Sequence, residues 1–226
     1  MANFTVPMKI IRDRESFLEE LNQGVALKEK SVSLLLANLA LFAIYGLIIG
    51  AFHSVPQAFS SAIKLPILYM LTLIICFPAL YIFSTLFGGR KSISQYFVLL
   101  LSSMAVISIL LLGFAPVTIF FMITAPDYQF FKLLNVIIFA ITGFVGLKFF
   151  YQSMQVVADE TEGKETRINI LKAWIILYAF VGSQLGWILR PFFGSPNSPF
   201  QIFRETTRGN FYVDVYNTIV KLFGLH

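Results

Sequence analysis

Apolar residues fill this chain in five long blocks, with charged residues in the gaps between them or near their ends. Within a block neither the two-residue alternation of a half-buried strand nor a single helical stripe is visible, the pattern of helices apolar on every side. Val32 to about Phe52 carries no charge, and 25 uncharged residues separate Lys64 from Arg90. As a helix that second block spans about 37 Å, enough to cross a hydrocarbon core of about 30 Å with some tilt. Pro66 falls in its first turn, Pro78 in its interior, and Gly88-Gly89 end it. A mid-helix proline is tolerated where neighbouring helices satisfy the freed carbonyl.

Ser92–Pro126 is uncharged for 35 residues, about 52 Å as a straight helix and too long for one crossing. Gly113 and Pro116 offer a break. The pattern therefore predicts five spans, at about 32–52, 65–87, 94–114, 130–151 and 168–189. Residues 54–63 form a linker, 115–126 a kinked extension or interfacial segment, and Ala125-Pro126-Asp127 a turn. Lys132 and Lys148 bracket the fourth span and can snorkel to its two interfaces. The predicted fold class is all-α, a polytopic transmembrane bundle over 32–190.

An amphiphilic head, 1–31, precedes the bundle. A short helix over 14–23 places Phe17, Leu18 and Leu21 on one face, and Gly24 stops it. Such a helix is marginal alone and must lie on the membrane or dock on the bundle. After the fifth span, residues 190–200 are too rich in Pro and Gly to continue a helix. The tail, 191–226, is aromatic. Its Phe211, Val215, Ile219 and Leu222 share a helical face, while Val213, Val215 and Asn217 suit a strand equally well.

Composition agrees: 57% of the 226 residues are hydrophobic and 13% charged, against about 25% charged in soluble domains. The net charge of +5 is spread over the ends of apolar blocks, so it reads as topology and not as a nucleic-acid patch. The head holds five Lys/Arg, the 88–96 loop two and the 152–168 loop two, against single lysines, Lys64 and Lys132, on the other side. A cytoplasmic N-terminus satisfies the positive-inside rule. Arg190, Arg204, Arg208 and Lys221 then lie outside the cytoplasm and weigh the other way. The first 31 residues lack the apolar core of a signal peptide. Cys76, alone in an apolar run, reads as a small buried hydrophobe.

Lys64-Leu-Pro66, Pro78-Ala-Leu80, Leu86-Phe-Gly-Gly89, Ser92 and Ser94-Gln95 together resemble the Yip1-like group of five-helix membrane proteins, and over 186–196 the chain is similar to uncharacterised bacterial polytopic proteins. The resemblance covers about 32–190 and implies a cytoplasmic N-terminus and five spans; for eukaryotic members it implies membrane organisation or trafficking, for bacterial members little of substance, and it supplies no catalytic residues. The long aromatic tail departs from the short external end of that group.

The motifs of nucleotide, zinc and nucleophile chemistry are missing. Asp159, Glu160, Glu162 and Glu165 lack the fixed spacing of a calcium loop. His53 reads as an interfacial side chain rather than a haem or chlorophyll ligand. No metal or cofactor is expected, and no enzyme. Two GxxxG patterns, Gly46/Gly50 and Gly182/Gly186, predict close packing of spans one and five against each other. Trp187, Arg190, Pro191, Phe192, Phe211 and Tyr212 are the candidate lipid or partner contacts. Arg190 suits a lipid phosphate, or a cap on the fifth helix. The expectation is a subunit or organiser of a bacterial inner-membrane assembly, working through lipids, other membrane proteins or self-association. The alternative is a small-molecule transporter or channel lined by Asn38, Asn135, Thr142 and Gln184.

Overall fold

The computed structural model describes residues 5–87, 89, 91–157, 164–194, 199–204 and 209–222. Eight helices follow in order: α1 (Thr5–Arg12), α2 (Arg14–Asn22), α3 (Leu27–Ala51), α4 (Val55–Leu86), α5 (Ile93–Thr124), α6 (Tyr128–Val157), α7 (Lys164–Ile188) and α8 (Phe211–Leu222). The described residues contain no strand. Helices α3 to α7 are each long and apolar enough to cross a membrane. The chain is an all-α polytopic bundle and an integral membrane protein.

Short polar signals start the helices. Ser54 accepts a hydrogen bond from the Gln57 amide and caps α4, and Ser92 and Gln95 form a reciprocal capping box on α5. Asp127 accepts from the Phe130 amide at 2.8 Å at the head of α6. These caps correct two expected boundaries. Residues 55–63 are the first turns of α4 and not a linker, because Pro56 sits where a helix has no use for its N–H. Residues 115–124 continue α5 without a break. Pro116 removes one rung, but Ala115 and Thr118 are buried on either side of it and packing holds the turn. Both helices have 32 residues, about 48 Å, and outrun a hydrocarbon core of about 30 Å.

Helix α5 is the centre. In its apolar stretch 61% of residues are buried, against 50% in α3, 33% in α4, 28% in α6 and 11% in α7. Helix α3 packs on α4 and α5, α6 packs on α5, and α7 leans mainly on α4. The α3–α4 contact is the closest of these. A Cβ on Gly46 would stand 2.8 Å from the Ser61 carbonyl carbon, and one on Gly50 would stand 2.5 Å from the Gln57 carbonyl oxygen. The expected pairing of the two GxxxG patterns is therefore corrected. Gly46 and Gly50 do serve close approach, but to α4, since a three-residue turn at 52–54 makes α3 and α4 antiparallel neighbours. Gly182 lies near Thr72 of α4, and Gly186 would meet nothing within 4 Å.

The head docks. Phe17, Leu18 and Leu21 of α2 and Ile10 of α1 join the core cluster. Gln95 donates to the Leu21 and Asn22 carbonyls at 3.0 and 2.9 Å, and Arg14 donates to Gln152 and Ser153, both at 3.1 Å. Helix α1 itself carried no signal strong enough to predict it. The tail resolves as a helix, α8, lying against α6 and α7 at the opposite end.

Candidate functional site

Helices α6 and α7 meet at the head end of the bundle and part towards the tail end. Phe150 and Trp174 close the angle, with ring centroids 5.3 Å apart. Trp174 also donates its indole N–H to the Cys76 carbonyl of α4 at 2.9 Å, which holds α7 on α4 rather than on α6. Beyond that point Gly143 of α6 and Gly186 of α7 would each meet nothing within 4 Å if given a Cβ. The result is a cleft of about 500 Å³ between the two helices, floored by Leu68, Tyr69 and Thr72 of α4. Phe144, on its rim, is 69% exposed, so the cleft is open along its side.

The tail end of the cleft is charged. Lys132 of α6 pairs with Asp214 of α8 at 2.5 Å. Arg204 donates to the Tyr128 hydroxyl at 3.3 Å. The Arg190 guanidinium lies 3.0 Å over the Trp187 ring. Burial, and then the charge of Arg204, lower the proton affinity of that guanidinium, and Asp214 opposes them. All of these side chains line the cleft. The Trp187 indole N–H is buried there without a hydrogen-bond partner. Helix α8 bridges the opening: Tyr212 accepts from the Ser183 hydroxyl at 3.2 Å and stacks on Phe180 of α7.

Two of the expected lipid contacts are corrected. Pro191 and Phe192 are buried. Their carbonyls need donors once out of water, and α4 supplies them. Gln57 donates to the Pro191 oxygen at 2.8 Å, Ser61 to the Phe192 oxygen at 2.6 Å, and Lys64 to the Pro191 oxygen at 3.3 Å and to the Ile202 oxygen. Lys64 is buried and reaches over the Phe203 ring, so it latches the tail segment and does not snorkel. Gly194 has φ +70°, and any side chain on it would run into His53. Of the other expected contacts, Trp187, Arg190 and Phe211 are half-buried and line the cleft, and Tyr212 is exposed on α8.

Three of the four polar residues expected to line a transport path, Asn38, Asn135 and Thr142, are hydrogen-bonded inside the bundle. Asn38 donates to the Leu101 carbonyl and accepts from Ser108. Asn135 accepts from Tyr45 and donates to the Phe131 carbonyl, and Thr142 donates to the Ile138 carbonyl. Asn38, Asn135 and Thr142 are buried, Gln184 is half-buried, and none of the four lines the cleft. Asp159, Glu160 and Glu162 lie outside the described residues; among the described residues no group of three metal-ligating side chains occurs. Sequence reasoning missed Lys132, Tyr128, Arg204 and Asp214 as a unit. The available signal was Asp214, an acid in a strongly apolar tail segment.

Comparison with protein-family models, curated proteins and solved structures finds no match to this chain.

Proposed function

We propose that this protein is a non-catalytic subunit or organiser of a membrane assembly, acting by contact through α7, the α6–α7 cleft and α8. One observation carries the reading: α7 is the least buried of the five spans, with 11% of its apolar stretch covered, and α8 extends that open side beyond the bundle. Tyr212, Val213 and Tyr216 of α8 are 51%, 48% and 67% exposed. Apolar surface gathered outside the spans is costly to leave in water and marks a meeting place with protein or membrane. The resemblance to the Yip1-like group supports five spans with a cytoplasmic N-terminus, and the membrane proposed is a bacterial inner membrane.

The test is photo-crosslinking in native membranes, from Ile176 on α7, Tyr216 on α8 and Ile74 on α4. Discrete protein adducts from Ile176 and Tyr216, with none from Ile74, are expected, and deletion of 199–226 removes them. Purified protein that crosslinks to nothing from any position, yet drives solute uptake in proteoliposomes that Gln184→Leu abolishes, overturns the proposal in favour of a transporter.

A further inference from the structure

The α6–α7 cleft is apolar along its length and cationic at one end. From Lys132 to Leu147 its α6 wall rises through 15 residues, about 22 Å. Half of a whole bilayer, headgroups included, is about 20–22 Å. The cleft is therefore as deep as one leaflet. Along that depth its walls are apolar, from Val136, Phe139, Ala140, Phe144 and Leu147 of α6 to Ala179 of α7, a surface that matches a hydrocarbon chain.

The charged end selects the other half of the occupant. Among the described residues lining it, Lys132, Arg190 and Arg204 face one carboxylate, Asp214. Guanidinium forks match phosphate oxygens. Arg190 and Arg204 oppose each other's charge, and an anion between them removes that repulsion. The buried Trp187 N–H lacks an acceptor, a deficit of about 1–3 kcal/mol that a phosphate or ester oxygen relieves.

We propose that the cleft binds one anionic phospholipid, its phosphate among Lys132, Arg190, Arg204 and the Trp187 N–H, and an acyl chain along Gly143 and Gly186 towards Phe150 and Trp174. The inference rests on reading this cleft as a contact site and names what fills it.

The chain has two tryptophans: Trp187 lines the charged end of the cleft, and Trp174 is buried where α6 and α7 meet. Lipids brominated on the acyl carbons nearest the ester quench indole fluorescence on contact, so Trp187 beside the headgroup reports them. The full-length protein and its Trp174→Phe variant are reconstituted in vesicles of dioleoyl-phosphatidylcholine containing increasing brominated phosphatidylglycerol. In parallel the brominated lipid is phosphatidylcholine. Half-maximal quenching of Trp187 is expected at a mole fraction at least tenfold lower for phosphatidylglycerol. Lys132→Gln with Arg190→Gln removes the preference. Gly143→Leu, which fills the cleft where no neighbour stands in its way, abolishes the quenching while its melting profile holds. Equal quenching by the two lipids, or Gly143→Leu quenched like the parent, overturns the proposal. So does full relief of quenching by millimolar inorganic phosphate, which marks a site for the free ion. Protein adducts from Ile176 and Tyr216 in a chain that shows no lipid preference would sink this inference and leave the organiser reading standing.

Discussion

Gly46→Ala tests the packing at the tightest point of the bundle. An added Cβ would stand 2.8 Å from the Ser61 carbonyl carbon and 2.9 Å from the Ala62 Cα, and closer still to the Ser61 oxygen. Real Cβ atoms essentially never approach below 3.0 Å, and every atom in the way is backbone of α4. No rotamer change relieves the clash, so α3 and α4 must separate. Overpacking of this kind costs about 1–3 kcal/mol. Replacing glycine by alanine within a helix returns about 1 kcal/mol of propensity. The clash wins, because separation also strips contacts along the rest of the α3–α4 seam, and a net loss of about 1–2 kcal/mol is expected. Gly143→Ala is the matched control. It gains the same propensity and meets nothing within 4 Å, so it stabilises by about 0.5–1 kcal/mol. The assay is unfolding of the purified protein by sodium dodecyl sulfate in mixed micelles, followed by far-ultraviolet circular dichroism. Equal shifts in the two variants, or an unchanged Gly46→Ala, would refute the close α3–α4 seam.

Three further outcomes are expected. Lys132 and Asp214 are 15% and 26% exposed, between surface and buried pairs, so a double-mutant cycle with Lys132→Met and Asp214→Leu should give a coupling of about 1–2 kcal/mol; each single variant should speed proteolysis of α8. Hydrogen bonds from Lys9 and then Lys30 lower the Glu20 carboxyl pKa; the folded value lies below the unfolded one, about 4.3, so this pairing stabilises the head fully above that value and fades as pH falls through the depressed one. Hydrogen-exchange protection of 5–22 should drop on acidification in the parent chain, and in Glu20→Gln it should be weak and pH-independent over the same range. With an odd number of spans the head and tail lie on opposite sides, so Met8→Cys and Tyr216→Cys, both exposed sites, should label from opposite faces of sealed vesicles, with the buried Cys76 giving little background; labelling from one face would mean a wrong span count.

The spans were legible because an uncharged run of helical length has few fates other than a bilayer. Their ends were less so, since proline reads as a breaker wherever it stands. Pro56 opens α4 behind its Ser54 cap, and Pro116 is carried through by packing. A GxxxG pattern announces that something comes close but not what, and the short turn after α3 decided the partner of Gly46 and Gly50. The charged end of the cleft was illegible for a related reason. Lys132, Arg190, Arg204 and Asp214 come from separate segments, and each alone resembles an ordinary interfacial charge. Only the return of the tail across α6 and α7 gathers them. Trp187 and Arg190 were expected at a lipid-facing site and do line the cleft. Pro191 and Phe192 were not distinguishable from them by composition, because burial of that turn depends on Gln57, Ser61 and Lys64 more than a hundred residues earlier.

The bundle divides its labour along α6. Gly146 faces α5, where any side chain would collide with Ile107, and that approach fastens α6 to the most buried helix. Three residues earlier Gly143 faces the open cleft. One glycine is required because a neighbour is too near, and the other leaves room where no neighbour stands. On the far side of the cleft α7 is fastened at its head end by the Trp174 hydrogen bond to α4 and leans on Thr72 through Gly182. Stability therefore resides in α3, α4 and α5, whose interior polar groups Asn38, Ser102 and Ser108 are hydrogen-bonded. Helix α6 is held chiefly by α5 and α7 chiefly by α4, and the two touch each other only towards the head end, at Phe150 and Trp174. That arrangement lets the gap between them stay open without weakening the fold, and it places the opening beside a tail that supplies the charge.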